Sequence, residues 1–94
     1  MNNHYDTSKG LHLNYSLIVK MVENGSRVLD LGCGNGQLLK LLKEEKHIKG
    51  NGIEISQTEV IQCLEKGLSV IQGDIDEGLK QIPDKYYDYV ILNQ

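Results

Sequence analysis

A chain of 94 residues has room for one small domain, and a composition of 39% hydrophobic and 24% charged residues with a single proline is typical of a globular protein. The net charge of −3, with ten Lys and Arg residues scattered along the chain, argues against a nucleic-acid-binding surface. No apolar run approaches the ~18 residues that a transmembrane helix needs, and the N-terminus lacks a signal-peptide core. We therefore expect a cytoplasmic protein with no membrane partner.

The N-terminal quarter combines a polar start with a helical pattern. Residues 1–10 are polar and are expected to form a flexible segment. Apolar residues then recur from Leu11 to Val22 at the spacing of an amphipathic helix. The pair Asn24-Gly25 is typical of a helix end.

Two regular segments follow, separated by a glycine-rich turn. The string RVLDL is short and aliphatic, as expected of a buried strand, and QLLKLLKEEK has the periodicity of a helix. The leucines expected to face inward are Leu38, Leu39, Leu41 and Leu42.

The string KGNGIEIS allows two interpretations. Asn51-Gly52 is a hairpin signal in isolation, but a hairpin needs a strand on each side, and the preceding residues end a helix. We therefore predict one strand over residues 50–55, in which Gly52 permits the close approach of a ligand or of backbone.

The second half of the chain continues the alternation. Ser56 and Glu59 form a capping box at the start of a helix that ends at Gly67. The residues that this helix is expected to bury are Val60, Ile61 and Leu64. LSVIQGD is predicted to be a third strand, IDEGLKQIPD a short helix or turn, and YYDYVILNQ a fourth strand. The order α, β-α-β-α-β-α-β predicts a doubly wound α/β fold with a parallel sheet.

The cysteines and histidines offer no metal or disulfide chemistry. Cys33 and Cys63 form neither a disulfide framework nor a C-x-x-C site, and we interpret them as small thiols that fill space. His4, His12 and His47 share no ligand spacing, so we predict no metal site.

Polar residues cluster where ligands bind in open α/β sheets, beyond the carboxyl ends of the strands. The four clusters are Asp30 to Gly36, Glu54-Ile55, Asp74-Ile75 and Asn93-Gln94. Three of them carry a carboxylate at or near a strand end, which suits a ligand with hydroxyl and amine groups.

Gly32, Gly34 and Gly36 form a G-x-G-x-G turn. Glycines let backbone approach a ligand and leave N–H groups pointing outward at a helix start. The dinucleotide fingerprint G-x-G-x-x-G would need a glycine in place of Gln37, which argues against NAD. The alternative for this segment is a tight β-to-α turn without a ligand.

Glu54 and Asp74 are the two acidic residues at the ends of the second and third strands. Glu54 lies 18 residues beyond Gly36 and can accept both hydroxyls of a ribose; the alternative is a solvent-exposed strand-end carboxylate. Asp74 can accept a hydrogen bond from an exocyclic amine such as adenine N6, or it can cap the following turn.

Four strings, VLDLGCGNG, GIEIS, VIQGDID and YDYVILNQ, resemble in order and spacing the first four motifs of class I S-adenosylmethionine-dependent methyltransferases. Within that superfamily, SRVLDLGCGNGQLL, GNGIEIS, GLSVIQGDIDEGL and DYVILNQ are similar to segments of the MetW family of methionine biosynthesis. The resemblance covers residues 27–94. It departs at the ends: MetW proteins usually have a shorter lead-in and continue beyond the position of Gln94.

The resemblance implies a Rossmann-like class I methyltransferase fold. The superfamily has a seven-stranded sheet in the order 3-2-1-4-5-7-6, of which this chain would supply 3-2-1-4 in a truncated three-layer sandwich. Residues 1–94 would then be an incomplete S-adenosylmethionine-binding domain, the cofactor-binding half only.

The resemblance also implies roles for individual residues. Those that would border the methionine part of the cofactor are Asp30, Gly32, Cys33 and Gly34. Glu54 would hold the ribose hydroxyls, with Ile55 against the adenine. Asp74 would accept a hydrogen bond from the adenine amine, with Ile75 giving a further contact.

Asn93 and Gln94 would lie near the transferred methyl group. A sulfonium methyl is already activated, so its transfer needs positioning more than covalent help. No histidine lies near the later strand ends and no catalytic dyad is evident, so we assign no catalytic residue and no methyl acceptor.

The sequence is compatible with three alternative functions and predicts one assembly. The first is an S-adenosylmethionine-dependent, MetW-like methyltransferase that binds S-adenosylmethionine or S-adenosylhomocysteine. The second is a non-catalytic partner of homoserine O-acyltransferase, to which the MetW family is linked, and the third is an NAD-type dinucleotide-binding fragment. If the 94 residues are the whole polypeptide, the fourth strand would be an exposed edge rich in β-forming residues, which predicts a homodimer or aggregation through that edge.

Overall fold

The computed structural model describes residues 15–83 and 85–93. The expected flexible segment, residues 1–10, the predicted helix start at Leu11 and the site residue Gln94 lie outside the described residues.

Four helices and four strands alternate through the described residues. In chain order they are α1 (15–21), β1 (Arg27–Leu31), α2 (Gln37–Lys46), β2 (Lys49–Glu54), α3 (Gln57–Glu65), β3 (Ser69–Gln72), α4 (Ile75–Leu79) and β4 (Tyr89–Leu92). The predicted alternation is confirmed, and the string around Asn51-Gly52 is one continuous strand rather than a hairpin.

The four strands form one parallel sheet in the order β3-β2-β1-β4, which confirms the predicted topology. Leu31 at the end of β1 lies opposite Ile53 of β2 and Leu92 of β4. Because the strands are parallel and end in register, their carboxyl ends meet along a single edge of the sheet, which we call the carboxyl edge.

Most of the core lies on the sheet face covered by α1, α2 and α3. Its buried members include Val22, Val28, Leu38, Leu39, Leu42, Ile48, Cys63 and Leu68. Gly52 of β2 has no room for a side chain, because a Cβ there would meet Leu39 and the Sγ of Cys33. The close approach predicted at Gly52 therefore occurs, but the approaching groups are side chains rather than a ligand or backbone.

The burial predicted for α3 is wrong in part. Val60 is buried as expected, whereas Ile61 and Leu64 are 47% and 55% exposed, and Cys63 is fully buried in their place. A helix of 9 residues at the outer part of the sheet presents only a narrow stripe, and the i, i+3 pair Val60 and Cys63 fills it. In α2, Leu41 is only half-buried because it lies beside the stripe formed by the other three leucines.

A smaller core on the opposite face completes a three-layer arrangement. Leu29, Leu31 and Ile53 pack there against Ile75 of α4 and against residues Ile82 and Tyr87. Within the described parts of the chain, no helix is long and apolar enough to cross a membrane. The expected cytoplasmic location stays a prediction.

Candidate functional site

The carboxyl edge is built as a continuation of the sheet. The first residue after each of three strands donates its backbone N–H to the end of the neighbouring strand. These hydrogen bonds join Gly32 to the Ile53 carbonyl at 2.8 Å, Gly73 to the Glu54 carbonyl at 3.0 Å, and Asn93 to the Leu31 carbonyl at 2.9 Å. The backbone that follows each of these strands is therefore fixed by hydrogen bonds to its neighbour.

Residues 32–36, which we call the glycine loop, depend on left-handed backbone. Gly32, Gly34 and Gly36 have φ angles of 76°, 58° and 87°, which residues with a Cβ rarely adopt. Asn35 accepts a hydrogen bond from the N–H of Gln37 at 3.1 Å, at the start of α2. The loop thus has both the shape and the position expected for a segment that approaches a ligand through its backbone.

Glu54 is held in place by the glycine loop. Its Oε1 accepts a hydrogen bond from the Gly34 N–H at 2.8 Å, and its Oε2 accepts one from the Ser56 N–H at 3.0 Å. Glu54 is half-buried, so the alternative of a free, solvent-exposed carboxylate is wrong. Each carboxylate oxygen keeps a further lone pair, which leaves both able to accept a hydrogen bond from a diol.

A cavity of about 260 Å³ opens beside Glu54. Its lining residues are Gly32, Ile53, Glu54, Ile55, Gly73, Asp74, Ile75 and Asp76. The structure therefore brings together the four residues that sequence reasoning assigned to an adenosine. Ile55 is 67% exposed and gives the cavity mouth an apolar surface on which a flat ring could lie.

Asp74 caps α4. Its Oδ1 accepts a hydrogen bond from the Glu77 N–H at 3.0 Å, so the capping alternative is confirmed. Capping occupies one oxygen and orients the carboxylate at the cavity wall, so it does not conflict with a second hydrogen bond to a ligand amine.

Asp30 is a fully buried carboxyl beneath the carboxyl edge. The pKa of Asp30 is raised to about 7: loss of hydration is the largest cause, the hydrogen bond from Asn93 opposes it, and the nearby charge of Glu54 adds to the rise. The Asn93 amide donates to Oδ2 at 3.3 Å, whereas Oδ1 has no partner within the described residues. A buried carboxylate oxygen without a donor is costly, so the site favours a cationic or N–H-bearing group beside Asp30.

The two cysteines lie against each other under the glycine loop. Their Sγ atoms are 4.0 Å apart, and the Cys63 Sγ donates to the Gly34 carbonyl at 3.2 Å. Both are buried free thiols, and burial raises the pKa of both. The interpretation of two space-filling thiols is confirmed, and Cys33 can offer a ligand only its backbone because its thiol points into the core.

Three contacts at the site were not predicted from the sequence. The Tyr15 hydroxyl lies 3.4 Å from the Asn93 amide nitrogen, and Lys66 donates to the Asn35 carbonyl at 2.7 Å. The third is the hydrogen bond between Gly34 and Glu54. All three join residues at least 20 positions apart in sequence, so local patterns carry no signal for them. Among the described residues, no group of three or more Asp, Glu, His or Cys side chains could hold a metal ion.

Comparison with known proteins identifies relatives. The sequence matches the family described as "Methionine biosynthesis protein MetW" over residues 12–94. It is 36% identical, over 91 residues, to the "Bifunctional methionine biosynthesis protein MetXA/MetW" of Rhodopirellula baltica, which covers 88% of this chain and 15% of that protein.

Solved structures give the same fold. A SAM-dependent methyltransferase from Archaeoglobus fulgidus superimposes with a TM-score of 0.74 and 36% identity, covering 85% of this chain and 35% of that one. A SAM-dependent methyltransferase from Thiobacillus denitrificans, in complex with S-adenosyl-L-homocysteine, superimposes with a TM-score of 0.69 and 26% identity, covering 83% and 34%. This chain therefore spans about a third of these structures and a smaller share of the curated relative. By its sequence match and its β3-β2-β1-β4 sheet, the chain belongs to the MetW family and has a Rossmann-like class I methyltransferase fold.

Proposed function

We propose that this chain is the cofactor-binding part of a methyltransferase-like domain, and that it binds S-adenosylmethionine and S-adenosylhomocysteine at the carboxyl edge. The observation that carries this proposal is the Glu54 carboxylate, fixed by the N–H groups of Gly34 and Ser56 beside a cavity of about 260 Å³. A carboxylate oriented in this way suits the two hydroxyls of a ribose.

The remaining predicted site residues divide between the two ends of such a ligand. Ile55 and Ile75 supply apolar surface for the adenine, and the Asp74 carboxylate lies at the same wall to accept a hydrogen bond from its amine. At the other end, the Oδ1 of Asp30, which has no partner among residues 15–83 and 85–93, suits the positively charged methionine part, with Asn93 beside it. The solved relative from Thiobacillus denitrificans, crystallised with S-adenosyl-L-homocysteine, supports the same ligand class.

The chain's own contribution to methyl transfer would be positioning. When bound, S-adenosylmethionine supplies a sulfonium methyl group that is already activated. The glycine loop would meet the methionine part through its backbone, and Glu54 would fix the ribose. Asn93, at the end of β4, would lie where the acceptor approaches.

Calorimetric titration tests the ligand class. We expect S-adenosylhomocysteine and S-adenosylmethionine to bind and NAD to bind at least tenfold more weakly, since the fingerprint glycine at Gln37 is missing. Glu54→Ala should weaken binding by about 1–3 kcal/mol, whereas Glu65→Ala, on the exposed end of α3, should not. Equal affinity of wild type and Glu54→Ala would refute the ribose assignment, and preferential NAD binding would favour the dinucleotide alternative.

We also propose a homoserine O-acyltransferase as a protein partner. The Rhodopirellula baltica relative carries MetXA and MetW in its name as one bifunctional protein, which favours a functional link between two such parts. Co-expression of this chain with a tagged homoserine O-acyltransferase should give a complex that survives size-exclusion chromatography. Elution as two separate species at micromolar concentration would count against the partnership.

The edge strand β4 supports a homodimer. Among the strands of residues 15–83 and 85–93, β4 lies at one edge of the sheet, and its Val90 and Leu92 side chains are exposed. An unpaired edge of this kind templates pairing with a second copy. Light scattering should report a dimer at high concentration that Leu92→Lys weakens, whereas a monomer at all concentrations would exclude this assembly.

A further inference from the structure

Helix α3 and Lys66, the residue that directly follows it, contact the glycine loop at two successive backbone carbonyls. The Cys63 Sγ donates to the Gly34 carbonyl at 3.2 Å, and the Lys66 Nζ donates to the Asn35 carbonyl at 2.7 Å. Cys63 and Lys66 are three residues apart, so they lie on the same side of the end of α3. The loop therefore has a second support, on the side away from the cavity.

The loop needs such support because its own backbone is unusually free. Gly32, Gly34 and Gly36 remove the steric restrictions that would otherwise limit the loop to one shape. A flexible loop loses conformational entropy when a ligand orders it, and this loss weakens binding. Hydrogen bonds that order the loop beforehand reduce that loss.

The two supports differ in strength and in position. A thiol is a weak donor, whereas the Lys66 ammonium makes a short, charge-assisted hydrogen bond to the Asn35 carbonyl. Neither of the two ion pairs in the described part of the chain uses Lys66. The structure thus commits this ammonium to the loop rather than to a carboxylate.

The packing behind the glycine loop also indicates that α3 supports it. A Cβ on Gly36 would lie 2.9 Å from the Cys63 Sγ and would also meet Leu68. The loop is thus pressed against the end of α3, while on its other side Gly34 donates to Glu54. Gly34 is fixed from both directions, through its N–H by Glu54 and through its carbonyl by Cys63, and Lys66 fixes the next peptide.

We propose that Lys66 is a positioning residue for cofactor binding, which orders the glycine loop by holding the Asn35 carbonyl from α3. The proposal rests on the proposed function, since the loop is useful in this way only if a ligand binds there. Lys66 would touch no atom of the ligand and would act through the loop.

Three variants of the full chain test this role by calorimetry with S-adenosylhomocysteine. Lys66→Met keeps the aliphatic stem but loses the ammonium, and we expect about tenfold weaker binding, the scale of one charged hydrogen bond. Lys66→Arg retains a cationic donor and should restore affinity to within about threefold of wild type. Lys46→Met is the matched control, because the Lys46 Nζ donates to the Val22 carbonyl at 2.8 Å, a similar hydrogen bond that touches neither the glycine loop nor the end of α3.

Amide hydrogen exchange provides a readout that needs no ligand. In Lys66→Met the amides of Gly34 and Gly36 should exchange several-fold faster than in wild type, while those of β1 should not change. If wild type fails to bind S-adenosylhomocysteine, the proposed function is wrong, whereas faster loop exchange would still show that Lys66 orders the loop. If Lys66→Met matches Lys46→Met in both affinity and loop exchange, the positioning role is wrong.

Discussion

The carboxylate of Glu54 accepts the backbone N–H of Gly34 at 2.8 Å across 20 residues of sequence. This one hydrogen bond joins the end of β2 to the middle of the glycine loop. Because the glycine loop and the Glu54 carboxylate hold each other in place, a substitution in either one should alter the conformation of both.

Replacing Glu54 by Gln should destabilise the fold. Gly34 and Ser56 donate to different oxygens of Glu54, and in Gln one of those two positions is an NH2 group, which cannot accept, so one half-buried N–H loses its partner. We expect a loss of about 1–2 kcal/mol in the free energy of unfolding, measured by urea denaturation. Glu65→Gln, on an exposed position of α3, is the control and should stay within about 0.5 kcal/mol. Equal stability of the two variants would mean that the Gly34 hydrogen bond contributes nothing.

Asp30→Asn should stabilise the ligand-free protein at neutral and higher pH. The pKa of Asp30 is about 7 in the folded state against 3.8 for an ordinary Asp, so between these values the folded state binds more protons than the unfolded state. The contribution of Asp30 to the free energy of unfolding is therefore fully present below about pH 4 and is lost as the pH rises to about 7. Asparagine does not titrate.

The measurement is the difference in unfolding free energy between wild type and Asp30→Asn from pH 4 to pH 8. It should shift in favour of the variant by a few kcal/mol, since each unit of pKa shift corresponds to about 1.4 kcal/mol. Charges elsewhere in the chain cancel in this difference because both proteins carry them. A difference that does not vary with pH would contradict the raised pKa of Asp30.

Ligand binding should release a proton near pH 6. At that pH Asp30 is mostly protonated in the free protein, and a positively charged methionine group beside it would favour the ionised form. Titrations with S-adenosylhomocysteine in buffers of different ionisation enthalpy should therefore report the release of up to one proton. The release should vanish at pH 8.5 and in Asp30→Asn. Proton uptake at pH 6 would contradict the presence of a positively charged ligand group beside Asp30.

Gly36→Ala should be far more damaging than Gly25→Ala. Both glycines have left-handed φ angles, 87° and 75°, so both substitutions carry a conformational cost of about 1–2 kcal/mol. A Cβ at Gly25 meets nothing within 4 Å, whereas one at Gly36 would collide with Leu68 and Cys63. Overpacking should add about 1–3 kcal/mol at Gly36. Thermal unfolding of the two variants separates the conformational cost, which both share, from the cost of overpacking, which only Gly36→Ala should show. Equal losses of stability in the two variants would mean that the loop can move away from α3.

The sequence was sufficient to predict the sheet and the placement of the site. Alternating strands and helices imply parallel strands, and parallel strands bring residues as distant as Asp30, Glu54 and Asp74 to one edge without any knowledge of side-chain contacts. The roles assigned to these residues toward a ligand stay predictions. Their positions followed from topology alone.

The errors and omissions arose where tertiary packing decides. In α3 the apolar residues Val60, Ile61 and Leu64 are compatible with more than one helix face, and only the width of the contact with the sheet selects Val60 and Cys63. The contact between Lys66 and Asn35 spans 31 residues and depends on where α3 ends relative to the loop. Sequence periodicity contains neither kind of information.

The hydrogen bonds made by Gly32, Gly73 and Asn93 extend the β-ladder past the last strand residues into the backbone of the carboxyl edge. A site built on separate loops could open by local fluctuation while the rest of the protein stays folded. Here an opening of the carboxyl edge at Gly32, Gly73 and Asn93 would also fray the ends of the neighbouring strands, so it should cost more free energy than an opening confined to the interior of the glycine loop. A substitution deep in the sheet that loosens strand pairing would thus also reduce the order of the carboxyl edge.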